Sequence, residues 1–132
     1  MSVNKCEVYF KLVSDDIDPD EITKLLGIQP TKVRKKAQPR QKYNSWEYSS
    51  GKEASEVIDV YKMSSAIIEA LYPKMGDIAK IVKEKNLFSE LQVVLWISMD
   101  DSISTPAIGF EKETIAFLTK VGASIDVDTY RN

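Results

Sequence analysis

The sequence contains no histidine and one cysteine, Cys6, among its 132 residues. Histidine is the side chain most often used as a general base near neutral pH. Without it, neither a Cys–His pair nor a Ser–His–Asp triad can form within the chain. A zinc site built from thiolate and imidazole ligands is excluded as well, because one cysteine cannot supply three or four ligands. The commonest mechanisms of covalent and zinc-assisted catalysis are therefore excluded for this chain.

Other familiar signals are also missing. The 5 glycines are scattered, and neither the G-x-x-x-x-G-K-[ST] nor the G-x-G-x-x-G phosphate loop occurs. No apolar run approaches the ~20 residues of a membrane helix, and the first residues lack the apolar stretch of a secretory signal. A lone cysteine forms no internal disulfide and fits a reducing compartment. We expect a cytoplasmic protein without a cofactor or metal ion, and with no membrane contact.

The composition is that of a globular domain. Hydrophobic residues make up 43% of the chain and charged residues 29%. A chain of this length buries roughly two thirds of its unfolded surface on folding. Since no Gly/Ser-rich or Pro-rich linker divides the sequence, we expect residues 1–132 to form one domain.

The first strand is predicted from alternation. Cys6, Val8, Phe10 and Leu12 share one face, with polar residues between them. Cys6 could be a reactive thiol, but no histidine is present to activate it. Free cysteine is among the most buried residue types, so we expect a structural role.

The following helix has clear end signals. Asp18 is a suitable N-cap, Pro19 suits the first helical position, and Glu21 completes a D-x-x-E pattern. Gly27 can adopt the left-handed conformation that ends a helix, and Pro30 prevents its continuation. These signals predict a helix over 19–26.

Periodicity predicts the remaining elements. We expect helices at 60–71, 77–85 and 115–121, with a break at Pro73, and strands at 43–50, 90–99, 106–110 and 125–130. This order predicts an α+β domain with a mostly antiparallel sheet of about five strands and helices packed on it. A ferredoxin-like arrangement is one candidate.

Residues 31–42 have the most unusual charge composition in the chain, and we call them the basic segment. They contain six basic residues, Lys32, Arg34, Lys35, Lys36, Arg40 and Lys42, whereas all 20 acidic residues lie elsewhere. Pro39 and the lack of periodicity predict a loop, or a strand that starts late.

The basic segment, with Tyr43 and Trp46 beside it, is our candidate binding site. It could be a solvated loop, a contact for an acidic protein, or a contact for nucleic acid in which an aromatic ring stacks on a base. The overall pI of about 5.2 disfavours nucleic acid. Trp46 itself could anchor a partner or cover the edge of the core, and we favour the core.

Two acidic pairs suggest a further site. Asp15-Asp16 and Asp100-Asp101 both follow predicted strands, so they could converge as a magnesium site or a carboxylate dyad. Adjacent aspartates at strand ends are also ordinary turn residues, which is the interpretation we favour.

Asp126 and Asp128 alternate on one face of the last predicted strand. They would lie about 7 Å apart along the chain, a spacing that suits hydrolytic acid/base chemistry. Nothing else in the sequence supports a sugar site, so we favour partner contact or solvation.

Three segments resemble a bacterial family, the domain of unknown function numbered 4279. They are the early helix with its corner (18–31, DPDEITKLLGIQPT), the tryptophan strand (46–48, WEY) and the closing segment (118–130, LTKVGASIDVDTY). The resemblance implies a small bacterial cytoplasmic protein. It implies no established activity, substrate or cofactor, so no catalytic residue is transferred. Some members look like neighbours of toxin genes, which makes an immunity-type role a hypothesis.

We therefore predict a non-enzymatic protein-binding module that contacts an acidic partner through residues 31–48. One alternative is weak binding of nucleic acid or a phosphate ligand by the basic segment. The other is a carboxylate- or magnesium-dependent hydrolase.

Overall fold

The computed structural model describes residues 3–37 and 39–132. The elements are β1 (Asn4–Ser14), α1 (Pro19–Leu26), β2 (Lys32–Arg34), β3 (Asn44–Ser55), α2 (Val60–Leu71), a 3₁₀ turn (Tyr72–Lys74), α3 (Met75–Glu84), β4 (Phe88–Ile97), α4 (Lys112–Val121) and β5 (Ser124–Arg131). The strands lie in the order β2-β3-β1-β4-β5. Neighbouring strands are antiparallel except β4 and β5, which are parallel. The α+β class and the mostly antiparallel five-stranded sheet are confirmed.

The helices pack on one face of the sheet, which we call the covered face; the other is the open face. The alternation in β1 explains this arrangement, because Cys6, Val8, Phe10 and Leu12 are fully buried while the residues between them are partly exposed. The Phe10 ring meets the ring of Phe117 in α4 edge-on, with 6.1 Å between the centroids. The predicted burial of Cys6 is confirmed.

The first helix matches its sequence signals. The backbone N–H of Asp20 donates to Asp18 Oδ1 at 2.8 Å, and Pro19 is the first helical residue. Gly27 ends the helix with φ +69°, and its N–H donates to the carbonyl of Thr23 at 2.8 Å. The predicted bounds of the helix, 19–26, are confirmed. They could be predicted because each of these contacts joins residues close in sequence.

The middle of the chain is helical, as predicted. Pro73 does not separate two helices by a loop; it lies in the 3₁₀ turn that leads directly into α3. Proline is tolerated at the start of a helix because its missing N–H would have no partner there. The longest helix, α2, has 12 residues. No helix in the described part of the chain has the length and apolar content needed to cross a membrane.

Trp46 belongs to the core. It lies opposite Leu12 on the covered face of β3 and is fully buried. Its Nε1–H donates to Thr23 Oγ1 at 3.1 Å, which joins the sheet to α1. The core interpretation is therefore correct. The assignment of Trp46 as a binding residue is wrong, because a side chain without exposed surface cannot meet a partner.

The predicted strand at 106–110 is wrong. Ala107 forms only an isolated bridge with Asp59. Its N–H donates to Ile58 O at 3.0 Å, and its carbonyl accepts from Val60 N–H at 2.9 Å. These two hydrogen bonds hold the segment against the start of α2. Pro106 has no N–H to contribute to a strand ladder.

Two other predicted bounds also change. The strong strand runs from Phe88 to Ile97, which leaves Met99 outside it and 64% exposed. The last helix, α4, begins at Lys112 rather than at 115, and Ile115 is 50% exposed on it. The basic segment contains the short strand β2 rather than being loop throughout.

The two acidic pairs do not converge. β1 and β4 are antiparallel, with Val13 opposite Phe88 and Lys5 opposite Trp96. The pair that follows β1 therefore lies at the opposite end of the sheet from the pair that follows β4. Asp100 is a turn residue, since its Oδ1 accepts from the N–H and the hydroxyl of Ser102 at 2.9 and 2.7 Å. These hydrogen bonds lower the pKa of Asp100.

The two tryptophans provide a matched test of the core. Trp46→Phe removes a buried hydrogen bond and leaves a void, so we expect it to lower the free energy of unfolding by about 2 kcal/mol. Trp96 lies partly exposed on the open face and stacks on Tyr130, so Trp96→Phe should cost less than about 1 kcal/mol. Urea unfolding of both variants measures the difference. Equal losses would contradict the assignment of Trp46 to the core.

Candidate functional site

The open face carries charged side chains that are paired across strands. Lys11 Nζ lies 3.3 Å from Glu90 Oε1, which joins β1 to β4. Arg34 Nε lies 3.2 Å from Glu47 Oε2, which joins β2 to β3. Lys11 lies directly opposite Glu90, whereas Arg34 lies opposite Ser45 and diagonal to Glu47. Opposite and diagonal neighbours on adjacent strands share a face, so both pairs follow from the register. The centre of the open face is therefore polar and close to neutral.

The end of the basic segment folds over this face and forms a cleft, which we call the open-face cleft. Its volume is about 510 Å³, and it is lined by Tyr9, Lys11, Val13, Arg34, Gln41, Tyr43, Ser45, Glu47 and Phe88. Two hydrogen bonds shape the segment: Gln41 Nε2 donates to Tyr43 O, and Lys36 N–H donates to Asn44 Oδ1, each at 2.8 Å.

Two aromatic rings in the open-face cleft are accessible. Tyr43 and Phe88 are each 51% exposed, although they come from distant parts of the sequence. The strand register explains the meeting, because Phe88 lies opposite Val13 and Asn44 lies opposite Ser14. Half-exposed aromatic rings in a concave surface are typical of binding sites.

The floor of the cleft is built around Glu47. This carboxylate is buried and accepts from both Arg34 Nε and Ser45 Oγ at 3.2 Å. Burial raises the pKa of the neighbouring Tyr9, and the negative charge of Glu47 raises it further. The Tyr9 hydroxyl therefore stays protonated, and the floor offers a neutral hydroxyl and a neutralised Arg–Glu pair.

Apart from Trp46, which is buried in the core, the predicted binding residues separate into three groups. Arg34 and Tyr43 line the open-face cleft. Lys35 is tied to α1, with Nζ 2.8 Å from Asp20 Oδ2 and 3.6 Å from Asp18 Oδ1. The hydrogen bond to Asp20 raises the pKa of Lys35. Lys35 therefore connects the basic segment to the first helix.

The third group forms a positive rim. Its members are exposed and make no ion pair within residues 3–37 and 39–132: Lys32, Lys36, Arg40 and Lys42. Arg40 adopts φ +64° in a turn. We use the name positive rim for these four side chains.

Sequence reasoning missed the four residues of the cleft that lie outside 31–48: Tyr9, Lys11, Val13 and Phe88. Alternation did place Tyr9 and Lys11 on the polar face of the first strand. Their proximity to Phe88 depends on the pairing of β1 with β4, which no local pattern specifies.

Asp126 and Asp128 lie on the open face of β5. Both accept hydrogen bonds from Gln92 Nε2, at 2.9 and 3.2 Å. The amide of Gln92 therefore links the two carboxylates to β4. Within the described ranges, no three His, Cys, Asp or Glu side chains are grouped as a metal site would need.

The Cys6 thiol should be inert in the folded protein. Burial, together with smaller contributions from the negative charges of Glu53 and Glu7, raises its pKa from 9.0 to about 12. A disulfide reagent at pH 8 should label the thiol only after unfolding, because the thiolate is the reactive form. Rapid labelling of the folded protein would contradict the burial of Cys6.

The same pKa shift links stability to alkaline pH. The unfolded chain ionises this thiol more readily than the folded one, so the stabilising contribution is complete below pH 9.0 and declines as the pH rises toward about 12. Thermal unfolding of wild type and Cys6→Ala over this range should show a steeper decline for the wild type. Parallel curves would oppose this linkage.

These features define a class: an α+β protein with helices on one side of its sheet and a basic segment folded against the other. Within that class, the chain belongs to the family described as Domain of unknown function (DUF4279), which residues 4–132 match. The family resemblance of the three sequence segments is confirmed. No curated protein and no solved structure matches the chain.

Proposed function

We propose that the protein is a non-enzymatic binding module that docks an acidic protein surface on the positive rim and the open-face cleft. The observation that carries this proposal is that the positive rim flanks, along the chain, the residues of the basic segment that line a cleft with two accessible aromatic rings. The rim supplies positive charges that form no ion pair with the described residues, and Tyr43 and Phe88 supply accessible aromatic area. Aromatic residues and arginine are enriched in protein interfaces.

The two kinds of group have different roles. Charges at the edge of an interface steer the encounter and select the partner, while buried aromatic contacts supply most of the affinity. Rim side chains are well placed for steering because no carboxylate of the described chain neutralises them. Tyr43 and Phe88 can lose their remaining exposure against an apolar side chain of the partner. Such a surface favours recognition of a folded, acidic protein.

Lys35 belongs to the scaffold in this proposal. Reversing its charge would place a carboxylate against Asp18 and Asp20 and would disturb the start of α1. Substitutions that test binding therefore need to leave Lys35 intact.

Nucleic acid or a phosphate ligand is the second hypothesis. A basic rim beside an accessible tyrosine could contact phosphates and stack on a base. Asp126 and Asp128 lie on the same open face, and their charges would repel a phosphate backbone. We therefore rank an acidic protein first. The hydrolase hypothesis has less support, because the two acidic pairs lie at opposite ends of the sheet.

Three finer assignments belong to this proposal. The elements from β1 to β4 follow a β-α-β-β-α-β order, with α2 and α3 as one helical unit, which supports a ferredoxin-like arrangement extended by α4 and β5. A cytoplasmic location rests on the single cysteine. An immunity-type role in a bacterium follows if the acidic partner is a toxin.

The test places a photo-crosslinking benzoylphenylalanine at Tyr43, or at Tyr61 on α2 as a control, in cells that naturally express the protein. We expect a defined adduct only from position 43. The triple variant Lys36→Glu, Arg40→Glu, Lys42→Glu should abolish it, because each reversal turns attraction for an acidic surface into repulsion. With the purified partner, affinity should fall about tenfold or more.

A matched control carries the same change of charge on α3 and its C-cap: Lys80→Glu, Lys83→Glu, Lys85→Glu. This variant should retain the adduct. Loss of the adduct in both triple variants would mean that binding depends on net charge alone, which would contradict the proposed site. Binding of a single-stranded oligonucleotide that weakens steeply with added salt would favour the second hypothesis.

A further inference from the structure

The strand β5 forms one edge of the sheet, opposite the edge formed by β2. No strand in the described ranges pairs with its outer side, and all 8 of its residues are exposed. Proteins commonly shorten or cover an edge strand, because its free backbone groups can pair with another chain. The edge at β2 follows this rule with only 3 residues, whereas β5 does not.

The backbone groups that face outward can be assigned from the pairing with β4. Directly after β5, the N–H of Asn132 donates to Ile97 O at 2.8 Å. Along a strand, successive residues direct their backbone groups to alternate sides. The register of β5 with β4 is uninterrupted, so the even-numbered residues face β4. The N–H and carbonyl groups of Ile125, Val127 and Thr129 therefore point away from the sheet.

The side chains of β5 form an apolar row and an acidic row. Ile125 and Val127 lie on the covered face, opposite buried residues of β4, yet they remain 38% and 37% exposed. Asp126 and Asp128 lie on the open face, and neither forms an ion pair within the described residues. A strand added to this edge would place its own side chains beside both rows.

The acidic row determines which kind of chain fits this edge. Antiparallel pairing with a second copy, centred on residue 126, 127 or 128, would place an aspartate directly opposite an aspartate. Like charges in that position are destabilising. Basic side chains would be attracted instead, and Gln92 Nε2 already orients Asp126 and Asp128 by donating to both, at 2.9 and 3.2 Å. The charge therefore disfavours self-pairing and favours a basic strand.

We propose that the outer edge of β5 binds an extended segment of a partner protein in which basic and apolar residues alternate. The segment adds an antiparallel strand to the sheet, and its backbone pairs with Ile125, Val127 and Thr129. Its apolar side chains cover the apolar row, and its basic side chains lie against Asp126 and Asp128. In such strand addition, main-chain hydrogen bonds supply affinity and alternate side chains supply selectivity.

This proposal is independent of the acidic partner proposed for the positive rim. The rim belongs to the basic segment, which contains β2, and β2 and β5 are the two opposite edges of the sheet. The two surfaces also have opposite charge. Failure of one proposal therefore leaves the other intact.

The probe is a fluorescein-labelled peptide of seven residues that alternates lysine with valine, prepared as two isomers of equal charge. One is N-methylated on the backbone of its valines, whose N–H groups would face β5. The other is N-methylated on the backbone of its lysines, whose N–H groups would face away. By fluorescence anisotropy, we expect the lysine-methylated isomer to bind at least about tenfold more tightly, because only this isomer can donate to the edge. Equal affinities, or no binding of either isomer, would overturn the proposal.

Amide hydrogen exchange locates the contact. In the free protein, the N–H groups of residues 125, 127 and 129 should exchange faster than those of residues 126 and 128, which face β4. The lysine-methylated peptide should slow exchange at 125, 127 and 129 by about tenfold or more. Protection elsewhere without protection of these three amides would contradict the assigned site.

Substitutions separate the backbone contribution from the charges. Val127→Pro removes one outward N–H, at a type of position where edge strands tolerate proline, and should weaken peptide binding about tenfold; Val127→Thr keeps the N–H and should bind like the wild type. The double variant Asp126→Asn, Asp128→Asn should weaken binding about threefold to tenfold. Its matched control on α3, Asp77→Asn with Glu84→Gln, should have no effect. Unchanged binding by Val127→Pro would refute the assignment.

Sedimentation of the free protein distinguishes the remaining occupant of this edge. We expect a monomer at the concentrations used for peptide binding. A dimer that Val127→Pro dissociates would assign the edge to a second copy of the chain and overturn the proposal.

Discussion

The packing of β1 against the helices is the constraint on which the rest of the structure depends. The buried row that includes Phe10 lies in the middle of the sheet and is fully shielded from water. Because side chains alternate along a strand, burial of that row directs its neighbours Tyr9 and Lys11 to the open face. Pairing with β3 and β4 transmits the same division across the sheet. One buried row therefore determines which groups are accessible to a partner.

This division also arranges the charges. On the floor of the open face, Arg34 and Lys11 are neutralised by Glu47 and Glu90, so they stabilise the sheet more than they attract a ligand. Among the described residues, positive side chains without ion pairs remain at the rim, and carboxylates without ion pairs line the cleft between α2 and α4. A chain with a net charge of −2 thus presents two oppositely charged surfaces. Neither surface could be inferred from the net charge alone.

Features specified by neighbours in sequence could be predicted, and those that depend on register could not. The cap at Asp18 and the stop at Gly27 are local, so the bounds of α1 followed from the sequence. Phe88 entered the cleft through its pairing with Val13, which no local pattern reveals. Whether the acidic pairs converge could not be predicted for a similar reason, since convergence depends on the relative direction of two strands. Trp46 was ambiguous because its face became clear only once β3 was paired with β1.

The central claim is that the open face, with its basic segment, is the surface that meets the partner. Hydrogen–deuterium exchange of the chain, free and bound to the protein captured through position 43, tests it most directly. The account predicts slower exchange in 32–43 and at the start of β4, with the helical layer unchanged. Protection confined to α2, α3 and α4 would contradict it.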